Sequence, residues 1–348
     1  MAYTTIDDPS AYFQAKGYAG NSVDNTAITN DGNSNLQPDL IWFARYDTPG
    51  DKFLLNSSRG VTKFLISSGT DAEGTSTSIV KSFDTNGFSV GTNSNSNSSS
   101  SNYVAWQWKA NGGTTSSNTD GSVTSTVQVN QDAGFSIVTY TVGIAGGNHS
   151  VGHGLGVAPD FIVIKCRGTA QDWLVYHSSL GSGNYIKLNT TAGSVAYADS
   201  FGDGVTSSVF GYNYAGTTIA NQPYIAYCFA EKQGYSKFGS YVGNGNDNGP
   251  FIYTGFKPAF VLTKGTNASQ WRLYDSARSP NNVNINRLFP YTNSAEATDT
   301  DAGIDMLSNG FKIRGSGGDY NASGTTYIYM AFADNPLVTS TGIPTTAR

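Results

Sequence analysis

The side chains whose types could do chemistry are few: three histidines, two cysteines, and acids scattered along a chain of 348 residues. His149 and His153 stand four apart, the spacing that puts two imidazoles on one helix face for zinc. Between them lies Ser150-Val151-Gly152, in a glycine-rich stretch with no helical pattern, and no further ligand pairs with them, so they read as turn residues. His177 beside Ser178 offers a base and a nucleophile. Neighbouring residues of a strand face opposite ways, however, which separates the two and favours a structural role. The run Asn244-Gly245-Asn246-Asp247-Asn248-Gly249 alternates like a calcium loop, but it lacks the leading Asp, and Gly255 stands where a bidentate Glu belongs. A tight β-turn is expected there.

Glu73 and Glu296 sit in similar contexts, Asp71-Ala72-Glu73-Gly74-Thr75 and Ser294-Ala295-Glu296-Ala297-Thr298, and read as solvated loop acids. Trp173 and Trp271 recur at one position of a repeated pattern; an indole face can stack on a sugar, but a recurring Trp in strand-like sequence belongs more naturally to a core. Cys166 and Cys228 lie in strand-like runs and read as two small buried hydrophobes, with a disulfide between them left open. No catalytic, cofactor-binding or metal-ligating residue is assigned, no cofactor is implied, and the ligand-binding residues stay open. A non-enzymatic protein is expected.

The elements that position these residues form a pattern that occurs three times. A strand follows a proline at Pro38-Asp39-Leu40-Ile41-Trp42-Phe43, Pro159-Asp160-Phe161-Ile162-Val163-Ile164 and Pro258-Ala259-Phe260-Val261-Leu262-Thr263. Upstream of each stands a tyrosine: Tyr18, Tyr140 and Tyr241. Downstream, residues 51–60, 172–181 and 270–279 align without gaps, so that Asn56, His177 and Asp275 coincide, as do Ser57, Ser178 and Ser276. Strands opening at Asn86-Gly87-Phe88, Ser208-Val209-Phe210 and Asn309-Gly310-Phe311 come next. Tyr103-Val104-Ala105-Trp106, Tyr224-Ile225-Ala226-Tyr227 and Tyr327-Ile328-Tyr329-Met330 close each copy. Periods of about 121 and 99 residues are too long for a solenoid, so each copy is expected to be a domain.

Apolar runs of four to seven residues, rich in Val, Ile, Tyr and Phe and ended by Gly, Asn or Pro, predict strands, and little helix is expected. Only 13% of residues are charged, and the polar positions are mostly Ser, Thr and Asn, which suits strands and turns better than helix surfaces. The expected fold is all-β: three tandem related β-sandwich modules of jelly-roll or lectin-like kind, with strand order left open. The expected boundaries are an N-terminal arm over 1–17, modules over 18–112, 130–232 and 233–337, a flexible Gly/Ser/Thr/Asn linker over 113–129, and a C-terminal tail over 338–348. The uncharged Ser/Asn tract at 92–102 is expected to be an exposed loop tip, with counterparts at 215–222 and 315–324.

The net charge is −5 and no basic cluster could follow a phosphate backbone, so no nucleic-acid partner is expected. Residues 1–16 are polar and interrupted by Pro9, unlike a signal peptide, and no window nears 18 apolar residues. Folding in a cytoplasm without membrane insertion is the expectation.

Four stretches resemble a family of tailed-phage virion proteins frequent in phages of marine bacteria. They are Thr4-Thr5-Ile6-Asp7-Asp8-Pro9-Ser10-Ala11-Tyr12-Phe13-Gln14, Arg59-Gly60-Val61-Thr62-Lys63-Phe64-Leu65, the tract from Gly134-Phe135-Ser136-Ile137-Val138 to Lys165, and Asn321-Ala322-Ser323-Gly324. The resemblance covers residues 1 to about 337. It implies a particle-associated protein assembled in the host cytoplasm, and it brings neither catalytic residues nor a position on the virion. The expected function is a virion structural protein of tail-fibre, receptor-binding or other host-adhesion type. Such a protein would be a homo-oligomer that contacts other virion proteins and host cell-surface glycans. The alternatives are a capsid or tail decoration or connector scaffold without host ligand, and a glycan-degrading enzyme on a lectin-like sandwich.

Overall fold

The computed structural model describes residues 4–143, 148–197, 200–201, 204–212, 219–298 and 302–335. The protein is all-β, 45% strand and 4% helix. Short apolar runs set the strands, and three stretches of chain each give one large and one small sheet. In the first, the large sheet runs β1 (Phe13–Ala19), β9 (Asn102–Trp108), β3 (Leu40–Arg45), β4 (Lys52–Asn56), β5 (Lys63–Ile66), β6 (Gly74–Thr75). Its small sheet runs β2 (Thr26–Thr29), β8 (Gly87–Val90), β7 (Val80–Asp84).

The second large sheet runs β10 (Ser116–Asn118), β11 (Ser125–Asn130), β12 (Phe135–Val142), β19 (Gln222–Phe229), β14 (Phe161–Cys166), β15 (Leu174–His177), β16 (Asn184–Lys187), β17 (Val195–Ala196). Its companion pairs β13 (His149–Gly152) with β18 (Val209–Tyr212). The third runs β20 (Ser236–Val242), β28 (Thr326–Phe332), β22 (Phe260–Gly265), β23 (Arg272–Asp275), with β24 (Asn286–Arg287) and β25 (Ala297–Thr298) as a short pair alongside. Its small sheet runs β21 (Asn248–Tyr253), β27 (Gly310–Arg314), β26 (Gly303–Leu307). From the strand that carries the landmark tyrosine onward, the order is the same each time: first strand, last strand, post-proline strand, next strand. All ladders between named strands are antiparallel.

The register confirms the landmarks. Tyr18 pairs with Tyr103, Tyr140 with Tyr224 and Tyr241 with Tyr327, and each pair stacks at 14–17° with centroids 5.1–5.6 Å apart. The amides of Ser57, Ser178 and Ser276 donate to the carbonyls of Asp39, Asp160 and Ala259 at 2.8–2.9 Å.

One face of each large sheet packs on its own small sheet, giving three separate apolar clusters. The other faces meet in a single cluster that draws on all three stretches, so the three expected units share a core. The last strands place alternate residues there: Val104, Trp106 and Trp108 from β9, Ile225, Tyr227 and Phe229 from β19, Ile328, Met330 and Phe332 from β28. Trp108, Phe229 and Phe332, the terminal residues of those strands, form a triangle of edge-to-face rings with centroids 5.6, 5.8 and 5.9 Å apart. Each such pair adds about 0.5–1.5 kcal/mol beyond its buried area.

Three expectations are corrected. Residues 113–129 are not a loose linker: they carry β10 and most of β11, which extend the second large sheet beyond β12. The buried Asp39 carboxylate anchors them, accepting from the amides of Ala110, Gly112 and Gly113 and from the Gln128 amide group at 2.6–3.0 Å. Nor do residues 1–17 form an arm. Phe13–Ala19 is an edge strand of the first large sheet, Ile6 is buried in the shared cluster, and the Thr4 hydroxyl donates to the Gln233 carbonyl at 2.6 Å. The tract at 92–102 contains a one-turn helix, α1 (Ser94–Asn97), pinned by buried Asn97, whose side-chain amide donates to the carbonyls of Val23 and Gly91. At 315–324, α2 (Gly318–Asn321) repeats the device through Asn321, which donates to Asn246 and Gly315. The polar composition there serves both an exposed surface and the buried amide hydrogen bonds of Asn97 and Asn321. Residues 215–218 of the middle counterpart, and the tail over 338–348, lie outside the described residues. Among the described residues, no helix is long and apolar enough to cross a membrane.

A shared core makes unfolding a single event. Urea titrations followed by tryptophan fluorescence and by far-ultraviolet circular dichroism should superimpose on one transition; separable steps would show the shared cluster to be incidental. Phe332→Ala, which removes one corner of the triangle, should lower stability by about 3–5 kcal/mol and displace that transition as a whole.

Candidate functional site

Most of the chemically capable side chains gather where the three stretches meet. At each seam a loop of one stretch lies against the hairpin turn of the next, held by two backbone hydrogen bonds. Glu73 N–H donates to the Arg167 carbonyl and Gln171 N–H to that of Thr70, at 2.9 and 2.8 Å. Ser194 donates to Thr266 and Ser269 to Thr191, at 2.8 and 3.0 Å. Glu296 donates to Tyr46 and Gly50 to Asn293, both at 2.7 Å, which closes the ring from third stretch to first.

A buried lysine caps each junction. Lys165 Nζ donates to the carbonyls of Thr70 and Gln171 at 2.7 and 2.6 Å. Lys264 Nζ reaches those of Thr191 and Asn267 at 3.3 and 3.0 Å. Lys52 Nζ reaches those of Gly50 and Ser294, both at 2.9 Å. Burial pulls each ammonium down to about 8, still charged at neutral pH. Ala44 pairs with Lys52 across β3 and β4. One step beyond the pairs Ile164–Leu174 and Thr263–Arg272, the same two positions hold Lys165 with Trp173 and Lys264 with Trp271. In the first stretch, therefore, the lysine has moved to the opposite strand. Sequence reasoning missed these lysines; the available signal was a Lys inside an apolar strand, as in Ile164-Lys165-Cys166.

The expected site residues fall into place around this frame. Trp173 and Trp271 are buried, and their indole N–H groups donate across the seams to Ile66 and Lys187 carbonyls at 3.0 and 2.8 Å. Asn56, His177 and Asp275 are all fully buried, and each bonds to the last strand of the next stretch. Asn56 donates to the Tyr227 hydroxyl at 3.0 Å, His177 Nε2 meets the Tyr329 carbonyl at 3.0 Å, and Asp275 accepts from the Trp106 indole at 3.2 Å. Because His177 Nδ1 accepts from Ser179 N–H, Nε2 carries the proton and the ring is neutral. Burial pulls its pKa down to about 4.

His153 is likewise buried, with Nε2 against the Thr206 carbonyl and Nδ1 accepting from Leu155 N–H. Its ring is therefore committed to two local bonds, while His149 sits partly exposed on β13. The 244–249 segment is a set of side-chain turns: Asn244 Oδ1 accepts from Asn246 N–H and from Asn321 Nδ2. Cys166 and Cys228 are buried and unbonded to each other.

Glu73 and Glu296 are the clear correction, for both are mostly buried and ion-paired instead of solvated. Glu73 bonds Arg59 and Arg167 at 2.7 Å; burial would raise its carboxyl, but the Arg167 and Arg59 guanidiniums outweigh that and hold it below the usual range. Glu296 pairs with buried Arg278, which also binds Asp275 at 2.7 Å, yet burial, helped by Asp275, keeps its carboxyl above the usual range. In the middle stretch both partners are absent together, Leu180 standing for the arginine and Ser194 for the acid.

A small apolar cavity of about 20 Å³ beside the ring triangle is lined by Leu40, Trp108, Phe161 and Tyr227. A polar depression of about 130 Å³ lies between Gln14, Asp31, Asn33 and Asp334. Drug-sized ligands occupy about 300 Å³ or more, so neither suits one. Among the described residues, no three His, Cys, Asp or Glu side chains converge as metal ligands.

A family described as a domain of unknown function (DUF7483) matches residues 8–336, and the chain belongs to it. No curated protein and no solved structure matches the chain.

Two outcomes follow from the seam chemistry. Arg278→Leu leaves two buried carboxylates unpaired and should cost about 3–5 kcal/mol; adding Glu296→Ser, which reproduces the middle stretch, should restore part of that in thermal unfolding. His177, at about 4 when folded and near 6.5 when unfolded, gives stability that is complete above pH ~6.5. As pH falls towards 4 the unfolded chain takes up the proton first, and up to about 3 kcal/mol is lost. Urea midpoints measured from pH 7 to 4 should fall less steeply for His177→Asn, whose amide can still donate to Tyr329.

Proposed function

We propose that this member of the DUF7483 family is a non-enzymatic structural and host-adhesion component of a tailed-phage particle, of tail-fibre or receptor-binding type. In this reading it consists of three tandem related β-sandwich modules closed into a ring, the first taking in β1 and the second taking in β10 and β11. The observation that carries it is where the reactive side chains lie. Lys52, Lys165, Lys264, His177, Asp275 and Arg278 are buried in the seams and bonded to backbone or to one another. Acid–base or nucleophilic work needs such groups aimed at a bound substrate; here they fix sheet against sheet. The resemblance of residues 1–337 to virion proteins supplies the particle setting. Repetition of the chain on a particle would turn weak contacts to host glycans into useful avidity.

The test combines immunogold labelling of purified phage with binding of the fluorescent purified chain to host and non-host cells. Label on the particle, saturable host binding and a several-fold drop in phage adsorption after preincubation are expected. Label without cell binding would reduce the role to a connector or decoration piece, and unlabelled particles would end the proposal. Release of reducing sugar from host polysaccharide, abolished by one Asp or Glu substitution, would overturn its non-enzymatic part.

A further inference from the structure

Nearly every aromatic ring of this protein is covered, yet Phe251 is 45% and Tyr253 58% exposed, the two exposed aromatics among the described residues. They stand two apart on β21, so both project from the outer face of the third small sheet while Ile252 between them enters the core. The other small sheets act as internal controls. The inward pair Ile252–Phe311 corresponds to Ile28–Phe88 and Val151–Phe210. By that register the two rings replace Ala27 and Thr29 in the first sheet, and Ser150 and Gly152 in the second. Ala27 and Thr29 are small and solvated. Gly152 is covered by the chain itself, since a Cβ there would lie 1.6 Å from the Asn118 side chain. Among the described side chains, the third outer face alone carries rings, and they are uncovered.

Their neighbours are polar and charged. Phe251 pairs with Lys312, which pairs with Asp305 on β26, and Tyr253 pairs with Gly310. Gly310 keeps the strand bare: a Cβ there would meet the Phe251 ring at 3.0 Å and the Ile252 carbonyl oxygen at 2.1 Å. Arg314, its side chain 41% exposed, is the next outward residue and binds Asp305 at 2.5 Å. Along the described strands Lys312, whose Nζ donates to the Gly249 carbonyl at 2.8 Å, and Arg314 stand against one acid, Asp305, with Asp247 exposed just before β21, on a chain of net charge −5.

We infer that this face binds an extended acidic polysaccharide, with sugar rings stacked on Phe251 and Tyr253 and a sugar carboxylate held by Lys312 and Arg314. The inference rests on the host-adhesion reading above and gives it a site and a ligand class. Size decides against a protein partner: stable protein interfaces bury about 800 Å² on each side around an apolar centre. Two rings about 7 Å apart on a strand, bordered by charge, fall well short of that. A sugar chain alternates apolar C–H faces, which suit the electron-rich ring faces, with polar groups that suit the bordering charges.

The full chain should be retarded in affinity electrophoresis through gels containing alginate or hyaluronan, and not through dextran. Phe251→Ala/Tyr253→Ala should weaken that retardation about ten-fold or more, with an unchanged thermal midpoint because both rings are exposed. Lys312→Gln should weaken it without abolishing it, and Thr29→Ala on the first sheet should change nothing. Absence of retardation in both carboxylated polymers, equal retardation in dextran, or retardation that survives the double substitution would each overturn the inference. Host-cell binding separates the two claims. Equal binding by wild type and double variant sinks this site and leaves adhesion standing, whereas a wild type that binds no cells removes the adhesion reading itself.

Discussion

Trp108, Phe229 and Phe332 meet edge to face at one point, and the rest of the chain is arranged so that they can. Each terminates the central strand of a large sheet, so every large sheet must turn one face to that point and the other to its small sheet. Strands buried on both faces are apolar at nearly every position, Lys165 being bonded to seam carbonyls, which is why runs such as Phe161–Cys166 and Thr326–Phe332 show little alternation. Closure adds a second constraint. The backbone bonds from Glu296 to Tyr46 and from Gly50 to Asn293 join the last stretch to the first, so a change at one seam strains the whole ring.

Three similar sheets around one point create a pairing problem, and the seams differ in a way that addresses it. One carries Arg59, Glu73 and Arg167 with Asn56 beyond; the next has Leu180, Ser194 and His177; the third has Arg278, Glu296 and Asp275. A mispaired seam would part Glu73 from Arg167, or Asp275 from the Trp106 indole, and leave a buried group without its partner, which costs up to several kcal/mol. Mispaired seams are thereby disfavoured more strongly than correct ones are favoured. The buried lysines follow the same logic: burial pulls them towards neutrality, and carbonyls converging from two stretches, with nearby acids, offset that cost.

How much of this could be read from the sequence depended on whether a residue's role is local. The tyrosine, post-proline and last-strand landmarks were legible because strand pairing repeats them at nearly fixed spacing, and the structure stacks Tyr18, Tyr140 and Tyr241 on Tyr103, Tyr224 and Tyr327. Residues 113–129 were misread because Ser, Thr and Asn suit both a linker and a half-solvated edge strand; the alternation Val123, Ser125, Val127, Val129 was the discriminating signal. Asn97 and Asn321 look like surface residues until the carbonyls they bind are known. The pairing of Glu73 with Arg167 spans 94 positions, and nothing in local composition announces a partner that far away.

The same geometry separates what is constrained from what is free. Inward positions of the small sheets, Ile28 with Phe88, Val151 with Phe210 and Ile252 with Phe311, keep size and character because three packed clusters demand it. Outward positions carry no such demand, and there the copies diverge: Ala27 and Thr29, Ser150 and Gly152, Phe251 and Tyr253. A ring exposed to water gains nothing for the fold, so two on one face of one copy require a reason outside it. The outer faces of the small sheets are thus where the copies can differ without disturbing the shared aromatic triangle, and the proposed binding face is one of them.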